Sequence, residues 1–191
     1  QVRRGVLVGM RELRDPSALP VLLRTLADES AEVRREALIT LAYLRHPESV
    51  QALRERLRDP DASVRRLAVG ALAPFVGPEL LPDLNGALED PDWRVRRESA
   101  VVLGRAALNQ AVPGLLARLE DSAWEVVKEA ALSLARLSAR VAVPRLRLLL
   151  ASDQSELRKV AALALGELRA SAALRELEAL REDGDAEVRR A

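Results

Sequence analysis

The chain has 191 residues, 49% hydrophobic and 31% charged but only 2% aromatic, so it is apolar enough to fold yet short of the rings that centre many globular cores. Thirty basic and 29 acidic side chains leave a formal charge of +1, which excludes a global field drawing it onto nucleic acid or an anionic membrane. The lack of cysteine excludes disulfides, thiolate nucleophiles and cysteine-type zinc sites; no apolar run approaches the roughly 18 residues of a membrane span, and Gln1-Val2-Arg3-Arg4 begins no signal-peptide core. A soluble, cytoplasmic, monomeric chain is expected.

The dominant signal is repetition. Val-Arg-Arg starts at Val2, Val33, Val64, Val95 and Val188, and the degenerate copies Val126-Val127-Lys128 and Leu157-Arg158-Lys159 keep the same 31-residue step. In chain order this marks repeats at 2–32, 33–63, 64–94, 95–125, 126–156 and 157–187, with a seventh beginning at 188. An aliphatic column returns at Met10, Leu41, Leu72, Leu103, Leu134 and Leu165, and a leucine column at Leu22, Leu53, Leu84, Leu115, Leu146 and Leu177. Asp28, Asp59, Asp90, Asp121 and Asp183 close the units, and Ser152 is the one departure. Both ends fall inside a repeat, so a fragment of a longer protein is expected.

Each unit divides into two helices. In the second copy Val33, Ala37, Leu41 and Leu44 recur at helical spacing, His46-Pro47 interrupts, and Val50, Leu53 and Leu57 take the pattern up again. Asp59-Pro60 and Asp90-Pro91 predict the starts of first helices, a capping carboxylate followed by a proline whose missing N–H costs nothing there, with Asp61 and Asp92 adding charge at the positive helix end. Second helices are predicted to start at or near Pro16, Pro47 and Pro78, or slightly before Pro82, Pro113 and Pro144. A small residue after the aliphatic column, at Ala42, Ala73, Gly104, Ala135 and Gly166, predicts close helix approach. Such a hairpin cannot bury both faces alone, so each copy must be covered by its neighbours in a stacked all-α array.

The repeated Asp-x-Asp-x-x-Val-Arg-Arg, the Ala and Leu columns and Val112-Pro113-Gly114-Leu115 resemble the short HEAT repeat, the variety also found in phycobilisome lyases, over essentially the whole chain. The resemblance implies a right-handed α-solenoid, an alpha-alpha superhelix with first helices on the convex side and second helices lining a concave groove. It also implies a protein-binding scaffold, with pigment attachment, hydroxylation and DNA repair as minority uses of the repeat.

That arrangement nominates the outward positions of the second helices as the partner-binding groove: Arg24, Glu55, Asp83, Gly86, Gly114, Ala117, Arg118, Arg145 and Leu148. The centre, from Asp83 to Ala117, is nearly bare of long side chains and would admit a partner helix or extended segment. Trp93 and Trp124 share one repeat column and are expected to be neighbours, either as a partner-binding edge or as covers for inter-repeat loops.

Two basic columns follow the valine anchor. Arg3, Arg34, Arg65, Arg96, Arg158 and Arg189 are expected to bridge repeats by gripping the aspartate column and loop carbonyls with a fork that lysine lacks; Val127 breaks this row as Ser152 breaks the other. Arg4, Arg35, Arg66, Arg97, Lys128, Lys159 and Arg190 point outward, and an alternative reading makes them a nucleic-acid-binding ladder. Neighbouring Glu36, Glu98 and Glu129 and the scarcity of stacking aromatics count against it.

Chemistry finds little footing. His46 is the only histidine and reads as a turn cap; Asp28, Asp59, Asp90 and Asp121 are spread one per repeat instead of converging on a cation; no Gly-rich phosphate loop occurs. The paired His-Glu motifs of HEAT-type hydroxylases are missing. The expectation is a non-enzymatic protein–protein scaffold with no catalytic residues, metal or cofactor. Its other alternative, an accessory subunit of a lyase-type enzyme, rests on the resemblance alone.

Overall fold

The structure, a computed structural model, describes residues 16–191, so Arg3, Arg4 and Met10 lie outside the described residues. Among those residues every regular element is helical. In chain order the α-helices are α1 (Leu19–Thr25), α2 (Ala31–Leu44), α3 (Val50–Arg56), α4 (Ala62–Leu72), α5 (Leu81–Ala87) and α6 (Trp93–Arg105). They continue as α7 (Val112–Ala117), α8 (Trp124–Arg136), α9 (Val143–Leu149), α10 (Ser155–Glu167), α11 (Leu174–Ala179) and α12 (Ala186–Arg190). Even-numbered helices are the first helices of their repeats and odd-numbered ones the second. Two compact units result, one ending at Val102 and the other running from Leu103 to Ala191, with the division inside α6.

Every second helix is introduced by a single 3-10 turn, starting at Pro16, Pro47, Pro78, Asn109, Arg140 and Ser171, and therefore in the same register throughout. Proline suits these sites because its fixed φ is already helical and no partner is needed for the absent N–H. Pro20, Pro82, Pro113 and Pro144 occupy the second position of α1, α5, α7 and α9, still within the first turn, for the same reason.

First helices begin two residues later than Asp59-Pro60 and Asp90-Pro91 predict. The cap of α4 is Asp61, whose carboxylate accepts from the Val64 N–H at 2.9 Å, and Asp92 accepts from the Arg94 N–H at 2.8 Å. Asp59 and Asp90 instead accept from the N–H groups of Asp61 and Asp92, tightening the loop ahead of the helix. Helix exits also recur: Arg45, Ala107, Ser138 and Arg169 all take a left-handed φ of 49° to 55°. The third repeat departs, because Pro74 within a 3-10 turn ends α4 at Leu72.

The core is built from the columns. Leu41, Leu72, Leu103, Leu134 and Leu165 are completely buried, as are Leu22, Leu53, Leu84, Leu115 and Leu146, each contributing roughly 1.5–3 kcal/mol of burial. In the first unit α1 packs on α2, α3 on α4, and α2 beside α4. In the second, α7 packs on α8, α9 on α10, α8 beside α10, and α10 beside α12. Within each unit, then, second helices cover the first helix of the following repeat (α1 on α2, α3 on α4, α7 on α8, α9 on α10) and first helices lie side by side, which is the packing of an all-α solenoid.

The small-residue column is needed at one place and not at another. A Cβ on Gly104 would sit 2.1 Å from the Ser133 hydroxyl oxygen and 2.9 Å from the Ser133 Cα, so α6 and α8 approach through it. Gly166, by contrast, has open space where a Cβ would be.

Candidate functional site

The stack edge carries a repeated clamp. Arg65 reaches forward to Asp90 with Nε and Nη2 at 2.7 and 2.8 Å, and its Nη1 donates back to the Asp59 and Pro60 carbonyls at 2.9 and 3.2 Å. Arg158 does the same with Asp183 at 2.7 and 2.8 Å and with the Ser152 carbonyl at 2.9 Å. Arg34 pairs with Asp59 in the same register, 25 residues ahead, while Arg96 and Arg189 hold the carbonyls of Asp90 and Asp183. The fork satisfies carboxylate and loop carbonyls together, as the sequence predicts. Its electrical signature is clear at Asp183, where the Arg158 hydrogen bond and then the Asp185 N–H hold the carboxyl down at about 2. Burial opposes ionisation of Asp59, yet the Arg34 hydrogen bond and the Asp61 N–H carry it below the ordinary carboxylate range.

At one position the clamp is gone on both sides. Counting 25 residues from Val127 lands on Ser152; the valine is buried, and the serine hydroxyl accepts from the Gln154 N–H at 3.2 Å. An apolar side chain and a local turn replace an ion pair.

The outward cation column is largely occupied by carboxylates. Arg35 faces Asp61 at 3.6 Å, Arg66 faces Glu98 at 3.9 Å, Lys128 faces Glu156 at 3.0 Å and Lys159 faces Glu187 at 3.4 Å. Lys128 lowers the Glu156 pKa through that contact.

On the second-helix face of the first unit, Arg24 of α1, Glu55 of α3 and Gly86 of α5 are exposed, and Asp83 is half-buried with Arg54 at 2.8 Å. Asp83 and Gly86 come together in a cleft of about 280 Å³, closed by Arg54, Leu57, Arg58, Pro82, Ala87 and Asp90, with open space above the Gly86 Cα. In the second unit Gly114 is half-buried and Ala117 exposed on α7; Arg118 is half-buried with Asp121 at 3.5 Å. Arg145 and Leu148 are exposed on α9, where Arg145 donates to the Leu116 carbonyl at 3.0 Å and faces Glu120 at 3.5 Å. Next to it Arg147 pairs with Glu176, whose pKa it lowers. Sequence reasoning missed Arg54, Arg58 and Arg147, which lie one position from the residues it chose or at the helix end. It also missed Val141, whose signal is that the same column holds Glu48 and Glu79 in earlier repeats.

Trp93 and Trp124 are both half-buried at the first residues of α6 and α8, Trp93 in the first unit and Trp124 in the second. Each ring has a cation on it, the Arg94 guanidinium at 4.7 Å and the Lys128 ammonium at 5.8 Å from the ring centres. His46 caps the turn before α3, its Nδ1 accepting from the Glu48 N–H at 3.4 Å. Among the described residues no group of three metal-ligating side chains converges, and no helix is long and apolar enough to cross a membrane.

Comparison with known proteins agrees with this architecture. Among curated proteins none matches the chain at a significant level. YibA from E. coli superposes with a TM-score of 0.73 at 20% identity, covering 97% of this chain and 70% of that one. The complex of CpcE and CpcF of phycocyanin lyase from Nostoc sp. PCC7120 gives 0.69 at 22%, covering 88% and 72%. A designed armadillo repeat protein in complex with the peptide (KR)4 gives 0.64 at 22%, covering 90% and 95%. At these identities the likeness concerns the fold. The family model for HEAT repeats matches residues 1–73, 52–135 and 112–191, and the chain belongs to the HEAT-repeat family.

Proposed function

We propose that the chain is a non-enzymatic scaffold that holds a segment of a partner protein against the second-helix face of its repeats. HEAT repeats generally mediate protein interactions, and the observation that carries the reading here is the division of labour between the two layers. The clamp arginines of the first-helix layer are committed to carboxylates and loop carbonyls. The outward residues of the second helices, Arg24, Glu55, Gly86, Ala117, Arg145 and Leu148, are exposed, and several are small enough to admit another backbone. The Trp93 and Trp124 edges, each half-exposed beneath a cation, extend the surface open to a partner.

The phosphate-tracking alternative gains no support from the outward cations, because Arg35, Arg66, Lys128 and Lys159 already face carboxylates. A lyase-accessory role has the fold likeness to the CpcE–CpcF complex and no pocket chemistry of its own among the described residues.

The test is affinity capture with the wild-type chain and with Asp83→Arg, which also breaks the half-buried pair with Arg54, and Ala117→Arg on an exposed position; both leave the leucine columns intact, and unchanged circular dichroism verifies the fold. Loss of specific partners from both variants supports the scaffold. Recovery that is the same for all three proteins counts against the second-helix face as the binding surface.

A further inference from the structure

The fifth repeat breaks the charge pattern of the others. Between Glu129 and Asp153 the chain has four arginines and no carboxylate, whereas the corresponding stretch of every other full repeat carries acidic residues, such as Glu48 and Glu55 in the second. Arg145 and Arg147 draw their partners from the flanking repeats, from Glu120 on one side and Glu176 on the other. Arg136 and Arg140 are exposed and have no ion-pair partner among the described residues.

The same repeat exposes apolar surface. The 3-10 turn from Arg140 runs directly into α9, and along this continuous segment Val141, Arg145 and Leu148 follow the i, i+4, i+7 stripe of one helix face. Val141 is 63% exposed and Leu148 75%. This is not an exposed end of the stack, since the contacts of Arg145 to Leu116 and of Arg147 to Glu176 place neighbours on both sides of α9. Nor does local stability call for these residues. The first turn of a helical segment favours an anion, as Glu48 supplies in the second repeat, while here it holds Arg140 and a β-branched valine.

Exposed aliphatic side chains beside the unpaired Arg140 guanidinium, on a stretch that supplies no carboxylate of its own, are complementary to a ligand that is itself both apolar and negative. We infer that the α9 face of the fifth repeat is the docking surface for an acidic amphipathic segment of a partner protein. Its aliphatic side chains cover Val141 and Leu148, and its carboxylates meet Arg140. The inference rests on the scaffold reading and gives it a location and a partner chemistry. A nucleic acid would satisfy the charges but leave both aliphatic residues wet, and no aromatic ring lies in the stripe to stack on a base.

The experiment uses the full chain and a short fluorescein-labelled peptide with leucine at every third or fourth position and Glu or Asp between. Controls are the same peptide with its leucines changed to serine, and a labelled single-stranded DNA. Fluorescence anisotropy is expected to show salt-sensitive binding of the acidic leucine peptide, weakened about tenfold or more by Val141→Ser with Leu148→Ser and also by Arg140→Glu. All three changes lie on exposed side chains, and unchanged circular dichroism verifies the fold. No binding of the acidic leucine peptide to the wild-type chain overturns the inference. So does equal binding of the serine peptide or DNA without dependence on Leu148, since the face would then read charge alone. In the capture experiment, partner loss caused by Asp83→Arg and Ala117→Arg but not by the serine pair retains the scaffold and rejects this surface. Indifference to both sets rejects both.

Discussion

Arg34 and Asp59 meet side-on, Nε to Oδ2 at 2.8 Å and Nη2 to Oδ1 at 2.7 Å, while the remaining nitrogen of the guanidinium holds the Asp28 and Glu29 carbonyls at 2.8 and 3.0 Å. One planar group thereby fastens two successive inter-repeat loops. Both side chains are almost wholly buried, so losing one leaves the other charged and poorly solvated. Asp59→Ala is expected to cost about 3 kcal/mol and Arg34→Lys, which keeps the charge but loses the fork, about 1–2 kcal/mol. Urea unfolding followed by circular dichroism checks both, and a lysine variant as stable as the wild type would contradict the fork argument.

The missing clamp of the fifth repeat offers the converse test. Val127→Arg alone buries a cation opposite a serine and should destabilise; Ser152→Asp alone should change little. Together they restore the register of Arg34, Arg65 and Arg158, and a double-mutant cycle is expected to give a favourable coupling of about 1–2 kcal/mol. Additive effects would show that the register does not carry over to this pair.

Acid should loosen the array in a defined window. Asp183 is held at about 2, and Asp59, Asp185, Glu156 and Glu176 are also held below their ordinary values. Groups whose folded pKa is depressed stabilise the fold above their unfolded pKa, near 4 for these carboxyls, and lose that contribution as the pH falls through the folded value. The melting temperature is therefore expected to be flat above about pH 5 and to decline between about pH 4 and 2. Asp183→Asn should lower the plateau and flatten that decline. A melting curve whose acid slope is unaffected by Asp183→Asn would assign the transition to other groups.

The left-handed exits predict stabilising changes. Ala107 and Ser138 are exposed and hold φ of 55° and 52°, a conformation that costs a side-chain-bearing residue roughly 1–2 kcal/mol. Glycine removes that cost and gives back part of it in unfolded-state freedom, so Ala107→Gly and Ser138→Gly should each stabilise by about 0.5–1 kcal/mol. Thermal unfolding of the single variants is the measurement, and a lowered melting temperature would be the contrary result.

Two glycines of one column should respond oppositely. At Gly104 an added methyl meets Ser133, backbone included, and Gly104→Ala is expected to cost about 1–3 kcal/mol through forced separation of α6 and α8. Gly166→Ala enters open space within a helix and should stabilise by up to about 1 kcal/mol. Equal responses would mean that the column has a common role after all.

These contrasts mark where the sequence was readable. Leu53 and Leu72 were legible as core because burial recurs at a fixed step, and a column repeats only what every copy needs. The Arg34–Asp59 clamp was legible for the same reason, as a donor row and an acceptor row held in phase. The start of α4 was misread by two residues because Asp59 and Asp61 both suit a cap and Pro60 suits a first turn; the choice falls to Arg34, 25 residues away, which claims Asp59 for itself. The exits at Arg45 and Ala107 gave no signal, since neither is the glycine that usually marks such a bend. Leu148 was readable as outward from its phase, but an isolated Val141 looks like any core valine, and only its exposure distinguishes it.

The clamp has an implication for how such a chain lengthens or shortens over generations. Arg34, Arg65 and Arg158 each find their carboxylate 25 residues ahead, inside their own 31-residue period. Duplicating or excising one whole period by unequal recombination would therefore add or remove a complete donor–acceptor couple and strand neither half.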